Sequence, residues 1–90
     1  MKMHYIKTYP LLFTEVLRGT KTFVIRKNDR DYKLGDLVVL QEFKPSINGY
    51  TGNIIAVEIT YILTSFSLMS KGACVFSFRK LSGVNNNSQI

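Results

Sequence analysis

The hydrophobic period of this chain changes at Gly19, and that change limits the folds available to it. Between Pro10 and Gly19, four apolar residues recur at the three- and four-residue spacing of an amphipathic helix: Leu12, Phe13, Val16 and Leu17. Pro10 suits the first turn of this helix, and Gly19 suits its left-handed end. After Gly19 the apolar residues alternate with a period of two, which indicates strands. Because so short a helix is not stable alone, its apolar face must pack on a sheet.

Five strands are predicted, at residues 4–8, 21–26, 37–43, 53–64 and 73–81. The fourth is rich in β-branched residues, and its alternation predicts that Ile55, Val57, Ile59, Tyr61 and Leu63 face the core. Residues 82–90 are polar and lack aromatic side chains, so they are predicted to form a disordered tail. The element order predicts an α+β, mainly β domain over residues 1–81. In that domain, about five strands curl into a small barrel, with one short helix after the first strand.

The charge of the chain is concentrated in its first third. The formal net charge is +6, and residues 1–33 hold eight cations against three carboxylates. Such asymmetry favours an anionic partner, with nucleic acid as the commonest candidate. The alternative is a basic surface that only keeps the protein in solution.

Composition argues against several other classes of protein. The single cysteine, Cys74, cannot form an internal disulfide, and its simplest interpretation is a buried apolar side chain in a reducing compartment. No His/Cys cluster has metal-ligand spacing, so neither a metal nor another cofactor is predicted. No apolar run reaches membrane-spanning length and no signal peptide is visible, which predicts a cytoplasmic protein without a membrane partner.

The run from Gly19 to Arg26, GTKTFVIR, resembles the Gly-x-Lys motif of the ASCH domain, a member of the PUA-like superfamily. The run RKNDRD that begins at Arg26, together with Gly35-Asp36 and Tyr50-Thr51-Gly52, is similar to a small bacterial and phage family within that group, domain of unknown function 3850. The resemblance covers residues 4–79. It implies a PUA-like barrel with a cleft beside the Gly-x-Lys loop, and RNA binding as the activity.

The sequence departs from the resembled families at Val24. Related domains carry Glu there, and the ASCH amidohydrolases that act on acetylated cytidine carry a nucleophilic Thr. Val24 has no nucleophile, and no acidic residue follows Glu58 to serve as the distant glutamate. This pattern favours a non-catalytic RNA-binding module. Two alternatives stay open: a small hydrolase that acts on nucleosides or nucleotides, and a phage or mobile-element accessory protein that binds a host protein.

The candidate nucleic-acid-binding residues are cations, one amide and one aromatic ring: Lys7, Lys21, Arg26, Lys27, Asn28, Arg30 and Tyr50. Arg26 offers a rigid fork of donors, and Tyr50 lies on a glycine-flanked loop where its ring could stack on a base. The alternative for the cations is a solvated strand edge, whose charges prevent pairing with other sheets. His4 is a candidate general base, although a histidine at a strand end is more often structural.

Overall fold

The computed structural model describes residues 1–64 and 67–84. Its elements are β1 (Met3–Thr8), α1 (Pro10–Leu17), β2 (Phe23–Lys27), β3 (Leu37–Lys44), a 3-10 turn (Pro45–Ile47), β4 (Gly49–Leu63) and β5 (Ala73–Val84). The five strands form one sheet in the order β1-β3-β4-β5-β2, which curls into a half-barrel. The predicted mainly β fold, with one short helix after the first strand, is confirmed.

The two edge strands of the half-barrel, β1 and β2, are bridged by residues 28–36. Strand β1 pairs in parallel with β3, and the other three strand pairs are antiparallel. At one end of the bridging segment, the backbone N–H of Asn28 donates to the carbonyl of Gly72 at 2.8 Å. At the other end, Gly35 N–H donates to the carbonyl of Ile59 at 2.9 Å. Between these ends, the Arg30 guanidinium donates to the carbonyl of Tyr5 in β1, so the segment that follows β2 reaches the other edge strand.

Helix α1 forms where the sequence predicts it. Pro10 occupies the first turn, where its missing N–H breaks no helical hydrogen bond. Gly19 follows the helix with a φ of +83°, a left-handed conformation that glycine adopts without a steric penalty. Phe13 and Val16 are buried on the face that the helix turns toward the sheet. Burial of this face, more than helix propensity, stabilises an eight-residue helix.

The core lies on the concave side of the sheet, and the three central strands contribute most of it. Alternate residues of β3, β4 and β5 are buried there, as period two requires: Val38, Leu40, Ile55, Val57, Ile59, Cys74, Phe76 and Phe78. Burial raises the pKa of the Cys74 thiol. Cys74 is thus the buried, apolar-like cysteine that the sequence predicts.

The structure differs from the prediction at three points. Strand β4 begins at Gly49 and not at residue 53, so Tyr50 lies in a strand, paired with Phe43, and not on a loop as predicted. Tyr61 was expected in the core but is 62% exposed, because the β4–β5 register shifts between Ile59 and Tyr61. The extra residue of such a bulge reverses the alternation, so Ile62 packs against the core instead. Strand β5 also runs three residues further than predicted, to Val84. Of the predicted disordered tail, residues 85–90 lie outside the described residues.

Candidate nucleic-acid interface

Strand β2 turns one row of side chains inward and one outward. Val24 and Arg26 are half-buried on the concave side, where Val24 packs against the core. The strand register places Arg26 opposite the buried Cys74 of β5. The outward row is exposed and consists of Phe23, Ile25 and Lys27. Val24 and Arg26 therefore share a face of the strand, and that face is the inner one.

Tyr32 fills the gap between the edge strands. Only 3% of its surface is exposed, and its ring packs against His4 of β1 (4.6 Å between centroids) and Phe76 of β5 (5.1 Å). Burial raises the pKa of the Tyr32 hydroxyl, while the nearby charges of Arg26 and Arg30 act in the opposite direction. The hydroxyl therefore stays protonated at neutral pH, and it can both donate and accept a hydrogen bond.

Three polar atoms in β2 and in the segment that follows it are buried without a hydrogen-bond partner among the described residues. They are Nε of Arg26, Oδ1 of Asn28 and the hydroxyl oxygen of Tyr32. An unsatisfied buried donor or acceptor costs about 1–3 kcal/mol, so folded proteins seldom leave several together. Such groups mark sites that a water, an ion or a ligand completes.

His4 and Asp36 form a buried pair that ties the start of β1 to the start of β3. The His4 Nε2 atom lies 2.8 Å from Oδ2 of Asp36, and both side chains are buried. The Asp36 carboxylate also accepts backbone N–H bonds from Lys2 at 3.0 Å and Lys33 at 3.1 Å. These three hydrogen bonds satisfy the Asp36 carboxylate. They give His4 a structural role, as the side chain that joins β1 to Asp36. The interpretation of His4 as a general base stays a prediction, because the imidazole is buried in its pair with Asp36.

The Asp36 pair predicts a specific loss of stability in acid. Burial acts to raise the pKa of Asp36, but the bonds from Lys2, His4 and Lys33 outweigh it, so the pKa is lowered. The carboxylate therefore stabilises the fold above the ordinary aspartate pKa of about 4, and this contribution is lost as pH falls through the lower folded value. Unfolding of the wild type and Asp36→Asn, compared from pH 7 to 2, should show a stability difference that is constant at neutral pH and shrinks below about pH 4. A difference that does not change with pH would show that the carboxylate charge has no part in it.

A group of aromatic rings lies on the convex side, beside the β1 edge. The ammonium group of Lys7 sits 4.4 Å from the centre of the Phe43 ring, in cation–π geometry. Tyr50 and Tyr9 meet the same ring edge-on, at 5.2 Å and 6.2 Å between centroids. Tyr9 and Tyr50 are each about half exposed. Together with Arg30, whose guanidinium donates to the carbonyl of Tyr5 in β1, these residues form what we call the β1-edge surface.

Lys27 lines a shallow depression at the outer end of β2. The depression has a volume of about 220 Å³, and its other lining residues are Ser70, Lys71, Gly72 and Ala73. Lys27 pairs in register with Ala73, so the depression lies where β2 ends and β5 begins. Two lysines and one serine therefore line one hollow on the surface.

Lys21 lies apart from both groups. Its amine donates to the carbonyl of Phe23 at 2.6 Å and sits 5.0 Å from the centre of the Phe23 ring. Burial lowers the pKa of Lys21. Phe23 belongs to the outward row, so Lys21 and Arg26 do not line one cleft. The prediction of nucleic-acid contact for Lys21 stays a prediction, which Lys21→Ala in a binding assay would test.

Sequence reasoning missed the partners that organise these groups. Tyr32 lies in a run of charged residues, and its neighbours in the sequence do not indicate that its side chain is buried. Phe43 meets Lys7 only because β1 pairs with β3 across an intervening helix and strand. Asp36 is 32 residues from His4, so the pair has no local signal. Clues were present in the surplus of aromatic residues at strand ends and in the Gly35-Asp36 turn.

The structure and the known proteins limit the classes of function. In residues 1–64 and 67–84, no group of His, Cys, Asp and Glu could hold a metal ion. No helix in that part of the chain is long and apolar enough to span a membrane.

Residues 3–78 match the family model described as a domain of unknown function, DUF3850. A protein of Escherichia phage P2, the uncharacterized 12.9 kDa protein in the GpA 3' region, is 36% identical over 59 residues. The alignment covers 66% of this chain and 52% of that relative, so the chain spans about half the relative's length.

Proposed function

We propose that this chain, which belongs to the DUF3850 family of domains of unknown function, binds single-stranded RNA on its β1-edge surface. The observation that carries the proposal is the group of contacts around Phe43, in which the Lys7 ammonium and the Tyr50 ring meet one aromatic side chain. Proteins bind single strands by placing half-exposed rings under the bases and cations along the phosphates. The β1-edge surface offers both.

The charge of the chain supports the same proposal. Lys7 and Arg30 both lie along β1, since Lys7 is in the strand and the Arg30 guanidinium donates to the Tyr5 carbonyl. Tyr5 and Lys7 point to the same exposed side of the strand. A single strand that follows β1 would meet two cations and reach the ring of Tyr50. The net charge of +6 adds attraction at longer range.

The proposal includes two further points: the domain is related to ASCH domains, and the protein acts in the cytoplasm. The Gly19-Thr20-Lys21 run supports the relationship, and the unpaired, buried Cys74 supports a reducing compartment. Val24 supports a binding role over the amidohydrolase alternative, because it packs against the core and carries no nucleophile.

Salt dependence tests the proposal. The full chain should bind a fluorescent ten-nucleotide RNA, and log K should fall with log[salt] with a slope of about −1.4, at about −0.7 for each of two neutralised phosphates. Lys7→Ala should reduce the slope to about −0.7, because one phosphate contact is lost. Lys80→Ala is the matched control, since it removes the same charge from an exposed residue bound to Leu17 of the helix.

Two results would contradict this account. The first is an absence of binding at low salt. The second is an equal change of slope in Lys7→Ala and Lys80→Ala, which would mean that binding depends on net charge and not on the position of Lys7.

A further inference from the structure

A bulge in β4 determines which residue lies opposite Phe43 on the β1-edge surface. Strands β3 and β4 pair residue for residue as far as Gln41, which lies opposite Ile54. The next pair is Phe43 with Tyr50, so three residues of β4 oppose a single residue of β3. Without the bulge, the same register would continue and would place Gly52 opposite Phe43. The bulge therefore brings the Tyr50 ring to Phe43.

The carboxylate of Glu42 holds this bulge. Glu42 is the β3 residue that faces the three bulged residues, and its Oε1 atom accepts hydrogen bonds of 2.8 Å from the Thr51 hydroxyl and from the Asn53 side-chain amide. The Thr51 hydroxyl oxygen accepts in turn from the backbone N–H of Asn53 at 3.1 Å. Gly52 lies between them with a φ of +95°, a left-handed conformation that suits glycine. One carboxylate thus binds both sides of the bulge.

Other contacts at this end of β4 are weak determinants of the register. Residues 49–53 include two glycines, and glycine-rich strands slip easily between registers. The Tyr50 ring is about half exposed, so its edge-on contact with Phe43 buries little of it. A slip to the uninterrupted register would separate the two rings.

We propose that Glu42 is a positioning residue for RNA binding, because its hydrogen bonds to the bulge keep Tyr50 opposite Phe43, where the Tyr50 ring can stack on a base. The inference deepens the proposed function and rests on it. Glu42 acts without touching the RNA. It pairs in register with the buried Thr8 of β1, so its side chain lies on the inner face of the sheet.

Glu42→Ala is expected to weaken binding of the ten-nucleotide RNA about tenfold, because the stacking ring loses its place. The direction of the change is informative, since the loss of a carboxylate raises the net charge and would by itself strengthen attraction to RNA. Glu42→Gln keeps an oxygen that accepts from Thr51 and Asn53, so its affinity should stay within about twofold of the wild type. Glu15→Ala is the matched control. It removes a carboxylate from helix α1 and should bind RNA at least as well as the wild type.

Two measurements distinguish positioning from a general loss of stability. In the free protein, nuclear Overhauser contacts between the Tyr50 and Phe43 rings should be present in the wild type and in Glu42→Gln, and lost in Glu42→Ala. In a double-mutant cycle, Glu42→Ala should cost little further affinity in the Tyr50→Ala background, because the ring is already absent. Thr51→Val removes one of the two donors and keeps the side-chain volume, so it gives the same test if Glu42→Ala does not fold.

The outcomes separate this inference from the proposed function. If the ring contacts persist in Glu42→Ala and Thr51→Val, or if RNA affinity falls equally with and without Tyr50, the positioning role is refuted while RNA binding stands. If the ring contacts are lost as expected but the wild type binds no RNA, Glu42 still positions Tyr50 and the proposed function fails. Loss of the ring contacts together with a Tyr50-dependent loss of RNA affinity supports both.

Discussion

Asp36→Ala is expected to lower the free energy of unfolding by about 3–5 kcal/mol, the largest effect of any substitution considered for this chain. The change leaves buried His4 without the carboxylate 2.8 Å away. It also removes the acceptor of the Lys2 and Lys33 backbone N–H groups. The bond from Lys2 joins the start of β1 to the start of β3. Urea denaturation followed by circular dichroism measures the effect.

Asp31→Asn is the control for the loss of a charge. Asp31 is exposed, and its ion pair with Lys33 at 3.3 Å is of the surface kind that contributes less than about 1 kcal/mol. Asparagine also tolerates the left-handed backbone of Asp31, whose φ is +52°. Equal losses in Asp36→Ala and Asp31→Asn would contradict the structural role assigned to Asp36.

Tyr50→Ala is expected to weaken RNA binding by roughly tenfold to a hundredfold, because a stacked base contributes about 1–3 kcal/mol. Stability should change little, since the Tyr50 ring is 54% exposed. Tyr50→Phe should retain most of the affinity, because it keeps the ring and its edge-on contact with Phe43. Fluorescence anisotropy with one labelled RNA measures all of these variants.

Tyr61→Ala provides the control for loss of an exposed tyrosine. Tyr61 lies on the same strand as Tyr50, eleven positions further along, and is 62% exposed. Its affinity for RNA should match that of the wild type. An equal loss in Tyr50→Ala and Tyr61→Ala would place the interface away from the β1-edge surface.

Much of the fold was predictable because its signals are local. The change of hydrophobic period at Gly19 separates helix from strands, and Pro10 marks the start of the helix. The inward positions of β3 and of most of β4 follow from simple alternation. The failure at Tyr61 has a physical cause, since a bulge depends on the partner strand and leaves no mark in the sequence of β4.

The candidate site was less predictable because it depends on contacts between distant residues. Alternation along β2 places Arg26 and Lys27 on opposite faces, but only the packing of the strand decides that Arg26 faces inward. Tyr32 is buried because residues 28–36 cross the gap between β1 and β2. Lys7 and Tyr50, both predicted from their residue types, are brought together by Phe43, which the sequence does not single out.

The central claim is that RNA binds to the β1-edge surface, and chemical-shift mapping tests it most directly. A ¹⁵N-labelled sample is titrated with a ten-nucleotide RNA at low salt, and the shift of each backbone amide is followed. The account predicts the largest shifts at Lys7, Phe43 and Tyr50, with Glu15 of helix α1 almost unmoved. Shifts confined to the helix, or an unchanged spectrum at saturating RNA, would contradict it.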